Sequence, residues 1–345
     1  MTDPTKPLLR AARRLPVEYT PVWFMRQAGR VLPEYRRIKE KYSLLQISER
    51  PELCAEVTLQ PVKRMPLDAA IVYADIMTPL VGVGIKLDIK ESVGPVIESP
   101  IRTMQDVARL RPIVPEQDVA YLLETLALVR AELAPHQALI GFAGAPFTLA
   151  SYLIEGKGTR TFLLTKQLMY SAPDVWDALM TRLADICATY LKAQVTAGAE
   201  ILQLFDSWVG TLGPDDYARY CAPYTQRIFD ALQGCGVPLI HFAMGGSTFL
   251  DQLKDEGADV IGLDWRLPLD QGWEIVGHDK AVQGNMDPAI LLGPWERVAE
   301  RAKDVLRRAN NRNGHIFNLG HGLNPPTPLD NVMRLVDFVH EESAR

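Results

Sequence analysis

Short apolar runs recur along the chain. Each is cut off by a cluster of polar or small residues and followed by a stretch of helical periodicity. The runs are Val22–Met25, Ala69–Tyr73, Ala138–Phe142, Ile201–Phe205, Leu239–Phe242, Val260–Leu263, Ala281–Gln283 and Ile316–Leu319. Their lengths and residue types are those of buried strands. Between them, Glu34–Lys41, Arg50–Met65, Thr103–Leu110, Gln117–Ala134 and Thr161–Ala197 read as helical. A last amphipathic helix runs from a Thr327-Pro328 cap toward His340. Pro146 sits where another helix would begin, and Gly156 where it would end. After the second run, GIKLDIKESVGPVIES alternates on both sides of Ser92–Pro95 and predicts a β-hairpin insert. Strands alternating with helices, each strand ending in polar residues, predict an α/β (β/α)8 TIM barrel, with residues 1–345 as a single domain. The competing open, doubly wound sheet needs a glycine fingerprint after its first strand. RQAGR is not one, and the GxG within Val81–Gly84 runs into the hairpin.

Composition narrows the class without changing this picture. With 345 residues, 47% hydrophobic and 23% charged, the chain has the profile of an ordinary globular protein. A net charge of −5 with no basic block argues against nucleic acid as a partner. The longest apolar stretch, Ala69–Ile85, is interrupted by Asp75 and Pro79, so no membrane span is expected. The opening MTDPTKPLLRAARRL lacks the apolar core of a signal peptide. Cys54, Cys187, Cys221 and Cys235 form no CxxC pair and read as buried thiols in a reducing compartment, which makes the cytoplasm the expected location.

The polar clusters carry the candidate chemistry, because a barrel gathers the ends of its strands at one mouth. Arg26 and Arg30 bracket the small-residue turn Gln27-Ala28-Gly29. Each guanidinium can grip an oxyanion with two prongs, as a lysine cannot. Asp75, Tyr152, Ser207 and His321 reach the same mouth from other strand ends. Plainer readings stand beside these. The arginines are surface charges, Asp75 partners a backbone amide, Tyr152 fills a half-buried gap, Ser207 caps a helix, or His321 belongs to the core. There is no HExxH, no GxSxG and no lysine at a strand end. An arginine-rich mouth with one enclosed carboxylate suits a small molecule bearing several carboxylates or phosphates and carrying its own activation.

With these residues in view, the chain resembles the uroporphyrinogen decarboxylase family. PVWFMRQAGR and GFAGAPFTLASYLIEG match its two signatures, and YADIMTP, FDSWVG and NLGHGLNPPTP fall in family order and spacing. The resemblance covers essentially the whole chain. It implies a (β/α)8 barrel, a homodimer with facing clefts, and no metal or organic cofactor. The implied reaction removes CO2 from the four acetate arms of uroporphyrinogen, giving coproporphyrinogen in porphyrin and haem biosynthesis. Carried over by position, the catalytic residues are Asp75, Arg26 and Arg30, and the substrate-binding residues are Arg26, Gln27, Arg30, Asp75, Tyr152, Ser207 and His321. In this reading Asp75 stabilises a protonated pyrrole and the arginines clamp carboxylates. The proton donor is open: an arginine pKa exceeds about 12, whereas His321 titrates in a better range.

A zinc- and corrinoid-dependent methyltransferase of the same fold is the nearest alternative. It would need a His-x-Cys pair, and His241-Phe242-Ala243 has alanine where the thiolate belongs. A phosphate-binding barrel enzyme using Gly284-Asn285 and Gly320–Gly322, or a non-catalytic tetrapyrrole carrier, are more distant readings.

Overall fold

The computed structural model describes residues 5–90 and 94–345. Its strands are β1 (Ala69–Ile71), β2 (Leu87–Lys90), β3 (Gly94–Ile97), β4 (Ala138–Gly144), β5 (Ile201–Asp206), β6 (Leu239–Ala243), β7 (Val260–Gly262), β8 (Ala281–Gln283) and β9 (His315–Ile316). Seven of them form one parallel sheet in the order β1-β4-β5-β6-β7-β8-β9, with helices in the connections. The strands of this sheet are buried along their length, which is why they read as unbroken apolar runs rather than as alternating ones. A polar chain shows that the sheet curls: Trp23 Nε1 donates to Gln283 Oε1 at 2.9 Å, and Gln283 Nε2 donates to Gln203 Oε1 at 3.0 Å. Gln203 and Gln283 lie on β5 and β8, which have two strands between them, so their side chains meet only across a concave interior.

The first expected strand, Val22–Met25, is not a ladder strand. It makes one parallel bridge, from Val22 to Phe317. Phe317 N–H donates to the Pro21 carbonyl at 2.9 Å and Asp68 N–H to the Val22 carbonyl at 3.0 Å. The segment is thus hydrogen-bonded at both edges of the sheet, beyond β9 on one side and just before β1 on the other. Its apolar residues specified burial correctly. The ladder stops because Gln27 N–H turns back to the Phe24 carbonyl, and the Asn318 side chain takes the Met25 N–H. Asn318 Oδ1 also takes the Leu319 N–H, which cuts the expected strand Ile316–Leu319 down to His315–Ile316.

Other boundaries shift for local reasons. The long helical stretch Thr161–Ala197 is two helices, Leu163–Ser171 and Pro173–Thr196, because Pro173 has no N–H to continue the first and suits the first turn of the second. Thr103–Leu110 contracts to Met104–Val107, held by a reciprocal cap between Thr103 and Asp106. Thr327 caps nothing: helix Leu329–Glu342 follows Pro328 without a side-chain cap. Pro146–Glu155 begins and ends where expected, with Gly156 in the left-handed region at φ +81°. β2 and β3 pair antiparallel, Leu87 opposite Ile97. Of the turn expected at Ser92–Pro95, Ser92 and Val93 lie outside the described residues. Among the described residues, no helix is long and apolar enough to cross a membrane.

One buried carboxylate ties the two edges and the last helix together. Asp68, 1% exposed, accepts Val22 N–H at 2.7 Å and the Tyr19 hydroxyl at 3.1 Å, and lies 2.9 Å from His340 Nε2. Removing it leaves one buried N–H and two part-buried side-chain groups without their acceptor. We expect Asp68→Ala to lower the unfolding free energy by about 3 kcal/mol in urea titrations. A loss below about 1 kcal/mol, the scale of an exposed pair, would contradict this.

Candidate active site

The site starts from the turn that ends the first apolar run. Gln27 is 1% exposed, its carbonyl oxygen accepting Phe24 N–H at 3.0 Å and its amide donating to the Ala69 carbonyl at 2.9 Å. Both ends of this side chain are therefore spent inside the wall. These two bonds fix the turn. The turn forces Arg26 into the left-handed region at φ +63°, a conformation costing about 1–3 kcal/mol that persists only where surroundings hold it. Its consequence is positional: the Arg26 side chain lies over Gly322, where an added Cβ would stand 2.4 Å from Arg26 Cδ. A Cβ there would push the Arg26 side chain off this position.

Asp75 stands four residues beyond the end of β1. Its carboxylate accepts Met77 N–H at 2.9 Å, and its own N–H donates to Thr78 Oγ1 at 3.3 Å. Burial raises its pKa, and the Met77 N–H and the Arg26 charge oppose that rise. Tyr152, half-buried on helix Pro146–Glu155, has its phenol pKa raised by burial, so it stays protonated as a donor. The Trp208 indole N–H and the Arg26 charge partly offset that rise, while the Asp75 charge adds to it. His321 accepts Gly322 N–H through Nδ1. Burial, with Arg26 and Arg266 nearby, lowers its pKa to about 4. The imidazole is thus neutral near pH 7, with Nε2 left to donate. This corrects the expectation that His321 titrates in a range suited to a general acid: its burial beside two guanidiniums disfavours the charged form.

Arg26, Asp75, Tyr152 and His321 therefore share one electrostatic field, though they come from four separate parts of the chain. Ser207 lies one residue past the end of β5, on the loop that also carries Trp208. It is half-buried and caps no helix, which removes the plainer reading of it. Arg30, exposed like Arg26, lies differently. Its charge falls on Tyr35, whose hydroxyl is 2.8 Å from that of Tyr73, and its carbonyl accepts Arg36 Nη1 at 2.8 Å. Below the polar groups lies an aromatic floor. Phe205 meets Phe142 and Phe242 edge-on at 5.5 and 6.2 Å, and Phe242 meets His321 at 6.4 Å.

Several residues at the mouth escaped the reading of the sequence. Trp208 lies against Tyr152 at 5.9 Å and Phe162 at 5.3 Å, closing one side. Thr148, one helical turn before Tyr152, donates to the buried Asp206 at 2.6 Å and accepts Trp208 N–H at 3.2 Å, so it couples the Tyr152 helix to the Ser207 loop. Arg266 follows β7 and is exposed. The FDSWVG motif was the available signal for Trp208. Nothing in the sequence placed Thr148 or Arg266 there, since both depend on which loops become neighbours. His241 points the other way: it is fully buried, 3.1 Å from Glu256, on the face of β6 opposite Phe242.

Known proteins match this chain over nearly its full length. A family model described as uroporphyrinogen decarboxylase matches residues 3–342. The uroporphyrinogen decarboxylase of Carboxydothermus hydrogenoformans is 51% identical over 336 residues, covering 97% of this chain and 96% of that protein. That of Streptomyces coelicolor is 53% identical over 337 residues, covering 98% and 94%. Among solved structures, a methyltransferase from Methanosarcina mazei superposes with a TM-score of 0.77 over 97% of each chain at 19% identity, which is a likeness of fold.

The shared field has a direct spectroscopic consequence. In an NMR pH titration the His321 ring should stay neutral from pH 8 down to about 5 and protonate near pH 4. Arg26→Gln removes a charge that opposes protonation, so the midpoint should move up. A midpoint near the ordinary 6.5 in the unaltered protein, or no shift in the variant, would contradict the arrangement.

Proposed function

Because the chain belongs to the uroporphyrinogen decarboxylase family, we propose that it removes CO2 from the four acetate arms of uroporphyrinogen at this mouth, leaving methyl groups and coproporphyrinogen. The observation that carries the residue-level reading is the single field joining Asp75, Arg26, Tyr152 and His321. The match of the family model supports the reaction itself.

Losing CO2 from an acetate arm leaves an electron pair on the arm's CH2. A pyrrole accepts that pair once a ring carbon beside its nitrogen has taken a proton. The ring is then cationic, CO2 departs as the arm–ring bond gains double-bond character, and a second proton delivered to the CH2 makes the methyl. Loss of the first proton restores the pyrrole. Asp75, as a carboxylate, stabilises the cationic stage and accepts hydrogen bonds from pyrrole N–H groups, a preorganised charge in a partly dry cleft. Arg26 grips a carboxylate arm from its fixed place over Gly322. Arg30, farther out, meets another arm, and Tyr152, Ser207 and neutral His321 donate to carboxylate oxygens. Gln27 acts by holding the arginine turn. The phenylalanine floor meets the apolar face of the macrocycle.

The finer architecture follows the same reading. The segment at Val22 serves as the eighth stave that closes a (β/α)8 barrel, β2 and β3 form a hairpin insert, and the chain is one domain. We read the protein as a cytoplasmic homodimer. The methyltransferase reading is disfavoured by its donor set. His241 faces Glu256 behind the sheet, Ala243 stands where a thiolate is required, and Cys221 Sγ is directed to Asp206 at 3.8 Å.

The test is anaerobic incubation with reduced uroporphyrinogen, following CO2 and the number of carboxylates on the tetrapyrrole. Stepwise release of four CO2 is expected. Tight binding without release would instead support a carrier, and overturn the proposal.

A further inference from the structure

Arg266 is unused by the account above, yet it is built as carefully as any residue in it. Its backbone N–H donates to Asp264 Oδ1 at 2.8 Å and its Nη1 to Asp264 Oδ2 at 2.9 Å. The guanidinium also stacks 4.3 Å over the Trp265 ring. A carboxylate on one side and an aromatic plate on another fix an arginine that would otherwise sweep freely, so little of its freedom remains to be lost on binding. The loop beneath is also rigid: Asn285 Nδ2 donates to the Asp264 carbonyl at 2.8 Å and the Leu267 carbonyl at 2.7 Å. This loop abuts the His321 loop so closely that a Cβ on Gly320 would lie 2.4 Å from Trp265 N. The Arg266 charge accordingly reaches His321.

Asp264 does not simply neutralise this arginine. Its Oδ2 also accepts Gly245 N–H at 2.6 Å, so three donors share one carboxylate. One edge of the guanidinium is spent on Asp264; the side chain remains 46% exposed. A forked cation held rigidly beside His321, with donors still facing solvent, matches a carboxylate ligand.

We propose that Arg266 is a substrate-binding residue that grips a carboxylate arm of the tetrapyrrole other than the one reacting. β8 and β9 lie between β7, which Arg266 follows, and the Val22 segment, which Arg26 ends, so the arm Arg266 holds is another than the one Arg26 and Asp75 act on. This inference rests on the decarboxylase reading. A grip of that kind is made equally in ground state and transition state, and it shows in KM rather than in kcat.

Arg266→Gln tests it in the full-length protein, using reduced uroporphyrinogen. KM should rise about tenfold, as expected for losing a charge-assisted hydrogen bond, with kcat changed less than about twofold. The His321 NMR midpoint should also rise, reporting the lost neighbouring charge. Unchanged KM overturns the proposal, as does a loss confined to kcat. The double variant Arg266→Gln with Asp264→Asn separates grip from screening. KM should stay raised; a return to the wild-type value would mean Arg266 only covers Asp264, and the proposal falls. Were the wild-type protein itself to release no CO2, the functional reading would fail first and carry this inference with it. Turnover by the wild type with no effect of the variants would overturn the inference alone.

Discussion

A part-buried carboxylate is costly to keep ionised, and at the mouth of this sheet a backbone N–H and a guanidinium work against that cost. Burial pushes Asp75 toward its neutral form, while the Met77 N–H and the Arg26 guanidinium push it back. In the proposed reaction the group acts as a carboxylate, part-buried and so less screened than in bulk water. Such a charge favours a cation formed above it more strongly than it would in water. Arg26 has to be close enough to stabilise Asp75 yet keep donors for an incoming carboxylate, and that requirement fixes much of the nearby backbone.

The supports can be followed outward. Gln27 spends its whole side chain on Phe24 and Ala69, which sets the turn; the turn puts Arg26 at positive φ; Gly322 gives the side chain a bare backbone to lie on. The same loop presents His321, whose Nδ1 is already occupied by Gly322 N–H. The turn and the His321 loop thereby define each other's positions. The Asp68 cluster performs the matching task lower down, holding the segment before the turn against β1 and the last helix. A shift of the Val22 segment would move Arg26 along with it.

How much of this was legible in the sequence depends on the range of the forces involved. Buried strands announced themselves through apolar runs, and Pro146 and Gly156 marked their helix because their constraints are local. Val22–Met25 was readable as buried but not as a truncated strand, since Asn318, far away in sequence, removes the ladder donor. The candidate site residues stood out as polar groups ending apolar runs and through family motifs. Their protonation states did not. His321 looked like a residue titrating near neutrality, and only its enclosure beside Arg26 and Arg266 lowers it to about 4. Gln27 stood out only as part of the turn between two arginines, and its burial in the wall depends on Ala69 of β1. Arg266 and Thr148 matter through loops that meet only when the sheet curls.

The account turns on Asp75 acting as a charge during the reaction rather than as an anchor for the substrate. Asp75→Asn keeps the size and the acceptor for Met77 N–H while removing the charge. Steady-state kinetics on reduced uroporphyrinogen, with substrate binding measured separately, read the two roles apart. A fall in kcat of about a hundredfold or more, with binding changed only a few-fold, is the predicted result. Weakened binding with kcat preserved would contradict the account, because Asp75 would then only hold the macrocycle in place.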